Sequence, residues 1–256
     1  MVNTRTLSKW VQGNKFYEDA NVSPTNTMWE TCPLLAIQND PTIAFQWFED
    51  FNHFTTTQRG LTSVLTNTGA AAAYGTEMGG ILEIQTSDGT VADNDESYVG
   101  STTPFILPGA GQDIWAEFRV KFVEANTDDA NIIVGLSSLY SANMLLDNGA
   151  GPAANYSGAL FYKVDGGTVW NCETSTTTSQ TTITSVATRR SGVWTRLGIH
   201  ITGTSKADFY IDGVLVATSS TYLPAAVMGI LMGVKNGTTT EESLLVDFFR
   251  LIQLRG

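Results

Sequence analysis

Basic residues are scarce in this 256-residue chain: 14 Lys and Arg stand against 25 Asp and Glu, a formal net charge of −11. A surface of that sign repels phosphate backbones, and the longest basic cluster, Arg189-Arg190, reads as a solvated loop, so nucleic acid is excluded as a partner. Cysteine is almost absent. Cys32 and Cys172 lie far apart and form no C-x-x-C, which removes structural zinc and dithiol redox chemistry. Two buried free thiols are expected, with a single disulfide as the alternative. The two histidines, His53 and His200, belong to no H-x-x-x-H and accompany no G-x-S-x-G, so neither a transition-metal site nor a Ser-His-Asp triad is expected.

Long apolar runs are missing as well. The opening "MVNTRTLSKWVQGNKFYEDANVS" has no apolar core of the signal-peptide kind, and nothing downstream is long enough to span a bilayer. The expectation is a protein made and folded in a cytoplasm, with no membrane partner. Helical periodicity is lacking too: no stretch of ten residues carries it with caps, and "GAAAAYG" (69–75) is short and Gly-bounded.

What the chain does hold is strand chemistry. The apolar fraction is 42% and the charged fraction 15%, with uncharged polar residues, Thr above all, filling the gap; half-buried Thr favours strands. A single domain of this length buries roughly 70–75% of the surface its unfolded chain exposes, so it needs neither metal nor disulfide. From Ile43 onward short apolar segments alternate with turn signals. "DIWAEFRVKFVE" has the cleanest period of 2: Ile114, Ala116, Phe118, Val120 and Phe122 face one way, Trp115, Glu117, Arg119 and Lys121 the other. "GVWTRLGIHITG" repeats the pattern with Val193, Leu197, Ile199 and Ile201 set against Trp194, Arg196 and His200. In "KADFYIDGVLVATSS" Asp212-Gly213 supplies a tight hairpin turn, which makes Asp212 a turn residue rather than a catalyst. The fold class expected is all-β, a two-sheet antiparallel sandwich with Greek-key or jelly-roll connections.

Residues 1–42 differ. Trp10, Phe16, Tyr17 and Trp29 are scattered without period among Asn, Thr and Pro. A disordered tail is poor in aromatics. The segment therefore reads as an extended arm (1–42) ahead of a sandwich domain (43–256), ordered by lying either on its own domain or, with those four aromatics as partner-binding anchors, on a neighbouring protein.

The order of segments resembles a known family. "FEDFNHF" (48–54), "GGILEIQT" (79–86), "DIWAEFRVKF" (113–122), "IIVGLS" (132–137), "GALFYKVDGG" (158–167), "GVWTRLGIHI" (192–201), "DFYIDGVLVATSSTYLP" (208–224) and "LLVDFFRLIQ" (244–253) together resemble the concanavalin A-like lectin/glucanase (LamG-like) sandwich. The version resembled is that of structural proteins of tailed-phage particles. The resemblance implies a non-enzymatic virion protein that decorates or cements a capsid. Its partner would be the major capsid protein or another virion protein, and it would act as a homo-oligomer, with a trimer favoured. It would be located in the virion after assembly in the host cytoplasm. The E-x-D-x-x-E pattern of the family's glycan-cleaving members is absent, so no catalytic residue is assigned and the protein is read as not an enzyme. "SDGTVADNDESY" (87–98) concentrates acids without the EF-hand order and is read as a surface loop, so no metal or cofactor is expected. The alternative function is a carbohydrate-binding module or tail-associated receptor binder, with Trp115, Trp170 and Trp194 as stacking residues for a glycan.

Overall fold

The computed structural model describes residues 27–52, 57–58, 60–66, 71–74, 79–86, 90–124, 128–189 and 191–256. Its strands run in chain order as β1 (Ala44–Glu49), β2 (Thr57–Gln58), β3 (Leu61–Thr66), β4 (Ala71–Tyr74), β5 (Leu82–Gln85), β6 (Glu96–Ser101), β7 (Ile114–Glu124) and β8 (Ala130–Ser137). They continue as β9 (Ser157–Lys163), β10 (Val169–Thr176), β11 (Gln180–Thr188), β12 (Thr195–Thr202), β13 (Lys206–Ile211), β14 (Val214–Ser219), β15 (Gly229–Asn236) and β16 (Glu242–Leu254).

Two antiparallel sheets result, as expected. One runs β14-β13-β12-β7-β16-β5-β4, with β1 also on β16; the other runs β11-β10-β9-β8-β15-β6-β3-β2. Strand β16 serves two neighbours on one side: its first half pairs with β5 and its second half with β1. A bulge between Val246 and Phe248 divides the halves. The extra residue lets both Val246 and Phe249 face the core while Phe248 turns outward. The period-2 reading holds within β7 and β12: Ile114, Ala116, Phe118, Val120, Phe122, Leu197, Ile199 and Ile201 all lie in the core between the sheets. Val193, read onto the same face, lies ahead of β12 and is exposed, which corrects that end of the pattern. In the β13–β14 hairpin Asp212 (φ 50°) and Gly213 (φ 83°) both take the left-handed region that a two-residue turn needs. Asp212 Oδ1 also accepts the Arg196 N–H at 3.0 Å.

Both outer faces carry apolar cover that local periodicity does not reveal. On the first sheet, a 3-10 turn (Thr27–Thr31) and a short helix α1 (Leu34–Asn39) lay Met28, Trp29, Cys32, Leu34 and Ile37 over Trp115, Tyr210 and Ile252. Gly198 makes this approach possible, since a Cβ there would stand 2.5 Å from the Met28 sulfur. Trp29 donates its indole N–H to Glu117 at 3.1 Å, and the Arg250 guanidinium lies 4.6 Å over its ring. The expected division at 42/43 is thereby corrected: residues 27–42 are not an extended arm but part of the sandwich's outer layer. On the second sheet, the loop between β8 and β9 buries Met144 and Leu145 against Tyr98, Ile133, Leu160 and Leu231. Lys235 holds that loop by donating to Leu145 O and Asn143 Oδ1, both at 3.0 Å, and by pairing with Asp147.

At one end of the sandwich a charged cluster is closed in. Glu124 accepts Lys163 at 2.8 Å and also pairs with Arg189, which reaches Asp128 as well. Lys163 is fully buried and also donates to Ala130 O at 2.7 Å. At the rim of the second sheet, residues 184–186 of β11 stand against the single residue Asn171 of β10, whose side chain accepts the Ser185 N–H at 3.0 Å. Cys32 and Cys172 are both buried and free, which sets the disulfide alternative aside.

Candidate functional site

The sequence-selected aromatics disperse. Trp10, Phe16 and Tyr17 lie outside the described residues. Trp29 is packed on its own sheet at 8% exposure, so its ring is not an anchor for a neighbouring protein. Trp115 and Trp170 are each 1% exposed and present no face to a sugar. Trp170 sits in the main core with its ring edge-on to Phe122, and Trp115 is closed off by the 27–37 segment. Trp194 is half-buried, with Arg119 and Lys121 lying 4.7 and 5.0 Å from its ring centre. Stacking of a glycan on Trp115 and Trp170 is corrected accordingly.

The acidic stretch 87–98 does not converge either. Asp88 lies outside the described residues, Asp95 accepts the Ala92 N–H at 2.7 Å, and Glu96 accepts the Tyr98 hydroxyl at 2.8 Å. Among the described residues no group of three or more His, Cys, Asp or Glu is placed to hold a metal ion, and no helix is long and apolar enough to cross a membrane.

His200 is 6% exposed, stacked on Trp115 with ring centres 4.8 Å apart and planes 11° apart. Burial, the larger influence, pulls its pKa below the ordinary histidine value, while Asp113, 3.5 Å away, pulls it back up. The folded state therefore favours neutral imidazole. Stability from this group is complete above the unfolded value of 6.5 and is lost as pH falls through the lower folded value. Urea midpoints measured from pH 7 to pH 5 should fall more steeply for the native protein than for His200→Gln. Parallel slopes for the two proteins would contradict this account.

One cavity of about 810 Å³ opens at the β1 edge, between the two sheets. Period 2 along β1 sends Phe45 and Trp47 toward it from the inner side and Gln46 from the outer side. The segment after β6 brings Phe105, fixed by its N–H to Met228 O at 2.8 Å. The rings form a chain: Phe105 lies 5.2 Å from Phe45 and 5.3 Å from Trp47, and Trp47 meets Phe249 edge-on at 4.8 Å. Gly60, at φ 84°, lies under the Trp47 ring and accepts Thr102 through its carbonyl at 2.8 Å. Amides line the remainder: Gln46, Gln112 and Gln253, with the hydroxyls of Thr102 and Thr103. Among the described residues no Asp, Glu or Lys side chain faces the cavity, and Arg255 is the one charged side chain there. An apolar floor with a few convergent neutral donors and acceptors suits a hydroxyl-rich ligand that has one flat apolar face.

Sequence reasoning passed over this site. "IAFQWF" reads as a strand, and nothing local to it shows that β1 ends up at a sheet edge against the 102–107 segment.

No family model and no curated protein sequence matches the chain. Solved structures do match in fold. The carbohydrate recognition domain of Emp47p aligns with a TM-score of 0.54 at 12% identity over 83% of this chain and 97% of that one. A β-glucanase of Bacillus licheniformis gives 0.56 at 12% identity over 80% and 97%, and peanut lectin gives 0.52 at 10% over 83% and 99%.

Proposed function

From a concanavalin A-like lectin/glucanase sandwich as the fold, we propose that this protein binds carbohydrate without cleaving it, in the cavity at the β1 edge. The observation that carries the reading is the lining itself: Phe45, Trp47 and Phe105 beside the amides of Gln46, Gln112 and Gln253. A pyranose ring has an apolar C–H face that packs on an aromatic ring and a hydroxyl rim that pairs with amides, so each half of the lining has a counterpart. The names of the structural neighbours, a recognition domain, a glucanase and a lectin, supply carbohydrate as the class; at such low identity they supply nothing finer. The absence of cleavage is argued from the cavity's chemistry. Glycoside hydrolysis generally takes two carboxyl groups roughly 5–9.5 Å apart across the bond, and among the described residues no carboxylate side chain lines this cavity.

A glycan array followed by calorimetry tests the proposal. Trp47→Ala should weaken binding by about 30-fold or more, the loss of one central aromatic anchor. Silence across a broad array would overturn the reading, and release of reducing ends would overturn its non-catalytic half.

The virion reading, a capsid-decorating oligomer held to the major capsid protein by its leading segment, stands as a second proposal. Its support is the order of sequence segments and the aromatics Trp10, Phe16 and Tyr17. With Trp29 occupied at home, residues 1–26 would have to carry the attachment.

A further inference from the structure

The cavity is open toward the outward-facing side of β1. Gln46 lines it there, and Phe48, two residues along the same strand, shares that face about 7 Å away at strand spacing. Phe48 is 59% exposed. It does not stand alone: Phe248, turned outward by the bulge in β16, places its ring centre 6.0 Å from that of Phe48 with the planes 39° apart. The sheet thus presents an aromatic pair in line with the cavity mouth, at a position where no core is served.

Resting on the carbohydrate reading, we infer that Phe48 and Phe248 form a second binding subsite continuous with the cavity through Gln46. The ligand is then a polysaccharide chain that crosses β1, rather than a terminal sugar or a small glycoside. Beside Phe48 the cations are engaged, Arg119 with Asp247 and Arg250 over the Trp29 ring, while Arg255 lines the cavity itself. A chain, rather than a single unit, follows from the two aromatic platforms standing on opposite sides of one edge strand. An open cavity lets a polymer enter and leave, whereas a closed one would cap an end.

Calorimetry of the full chain with gluco-, manno- and galacto-oligosaccharides of two and six units tests this. The series that binds should show the hexamer about tenfold tighter than the dimer. Phe48→Ala should cost the hexamer roughly three- to tenfold and leave the dimer unchanged, the usual scale for one exposed aromatic contact. Phe48→Tyr should keep the hexamer's advantage. Trp47→Ala should weaken both lengths. An unaltered thermal midpoint for Phe48→Ala certifies the fold, as expected for a side chain largely in solvent. A length preference that survives Phe48→Ala, or no length preference at all, overturns the second subsite while leaving the cavity standing. If neither length binds in any series, the carbohydrate reading falls and the subsite with it.

Discussion

Deleting residues 1–42 should abolish cooperative unfolding of the sandwich, whereas deleting only residues 1–26 leaves the contacts of Met28, Trp29, Cys32, Leu34 and Ile37 in place. Full burial of one large apolar side chain contributes roughly 1.5–3 kcal/mol. Removing this set together approaches the whole net stability of a domain, about 5–15 kcal/mol. The longer deletion also strips Trp115, Tyr210 and Ile252 of their cover. Denaturant titrations of the two truncated chains decide the matter. The expected result is a normal transition starting from residue 27 and aggregation or a broad, non-cooperative signal starting from residue 43. A normal transition from the shorter chain would mean that the 27–42 layer is dispensable. The same pair of truncations serves the attachment proposal: if residues 1–26 carry it, the chain beginning at residue 27 should fold yet fail to sediment with capsids.

Glu124→Leu is expected to cost about 3–5 kcal/mol, because it leaves Lys163 buried without its carboxylate. The carbonyls of Ala130 and Asp128 still accept from that ammonium at 2.7 and 3.0 Å, but carbonyl dipoles do not neutralise it. Arg189 keeps Asp128 as a partner and sits nearer the surface, so its share of the penalty is smaller. The double variant Glu124→Leu with Lys163→Met should recover much of the loss, since a buried pair replaced by apolar groups of similar volume is often near neutral. Urea midpoints for the two single variants and the double variant test this. Additive losses would show that the pair is not coupled.

How far the sequence reached can be judged from particular strands. In β7 and β12 the alternation was legible because each has one face against the core, and period 2 then writes burial directly into residue type. The Asp212-Gly213 turn was legible because its backbone demands are local. The opposite face of β7 was not. Trp115 alternates with Glu117, Arg119 and Lys121, and such a row resembles a solvated surface with one exposed ring. What buries Trp115 is Met28, Trp29 and Cys32, far upstream in the chain, and no local period announces a contact of that range. The same limit hid the cavity: Trp47 and Phe105 gain their meaning from the meeting of two segments that are separate in sequence. Pro33 and Pro41 discourage helix and central strand alike; no strand lies between them, yet the short helix α1 begins directly after Pro33, since the start of a helix tolerates proline.

The frayed register of β11 has an effect beyond its own sheet. A terminal strand with evenly spaced free amides and carbonyls invites a second molecule to add on and a ribbon to grow. Here the three residues crowded against Asn171, with Ser185 at φ 58°, break that spacing midway, and an incoming strand could match only part of its length. Many copies held side by side, on a polymer or on a shell, would thus stay separate particles instead of fusing along their rims.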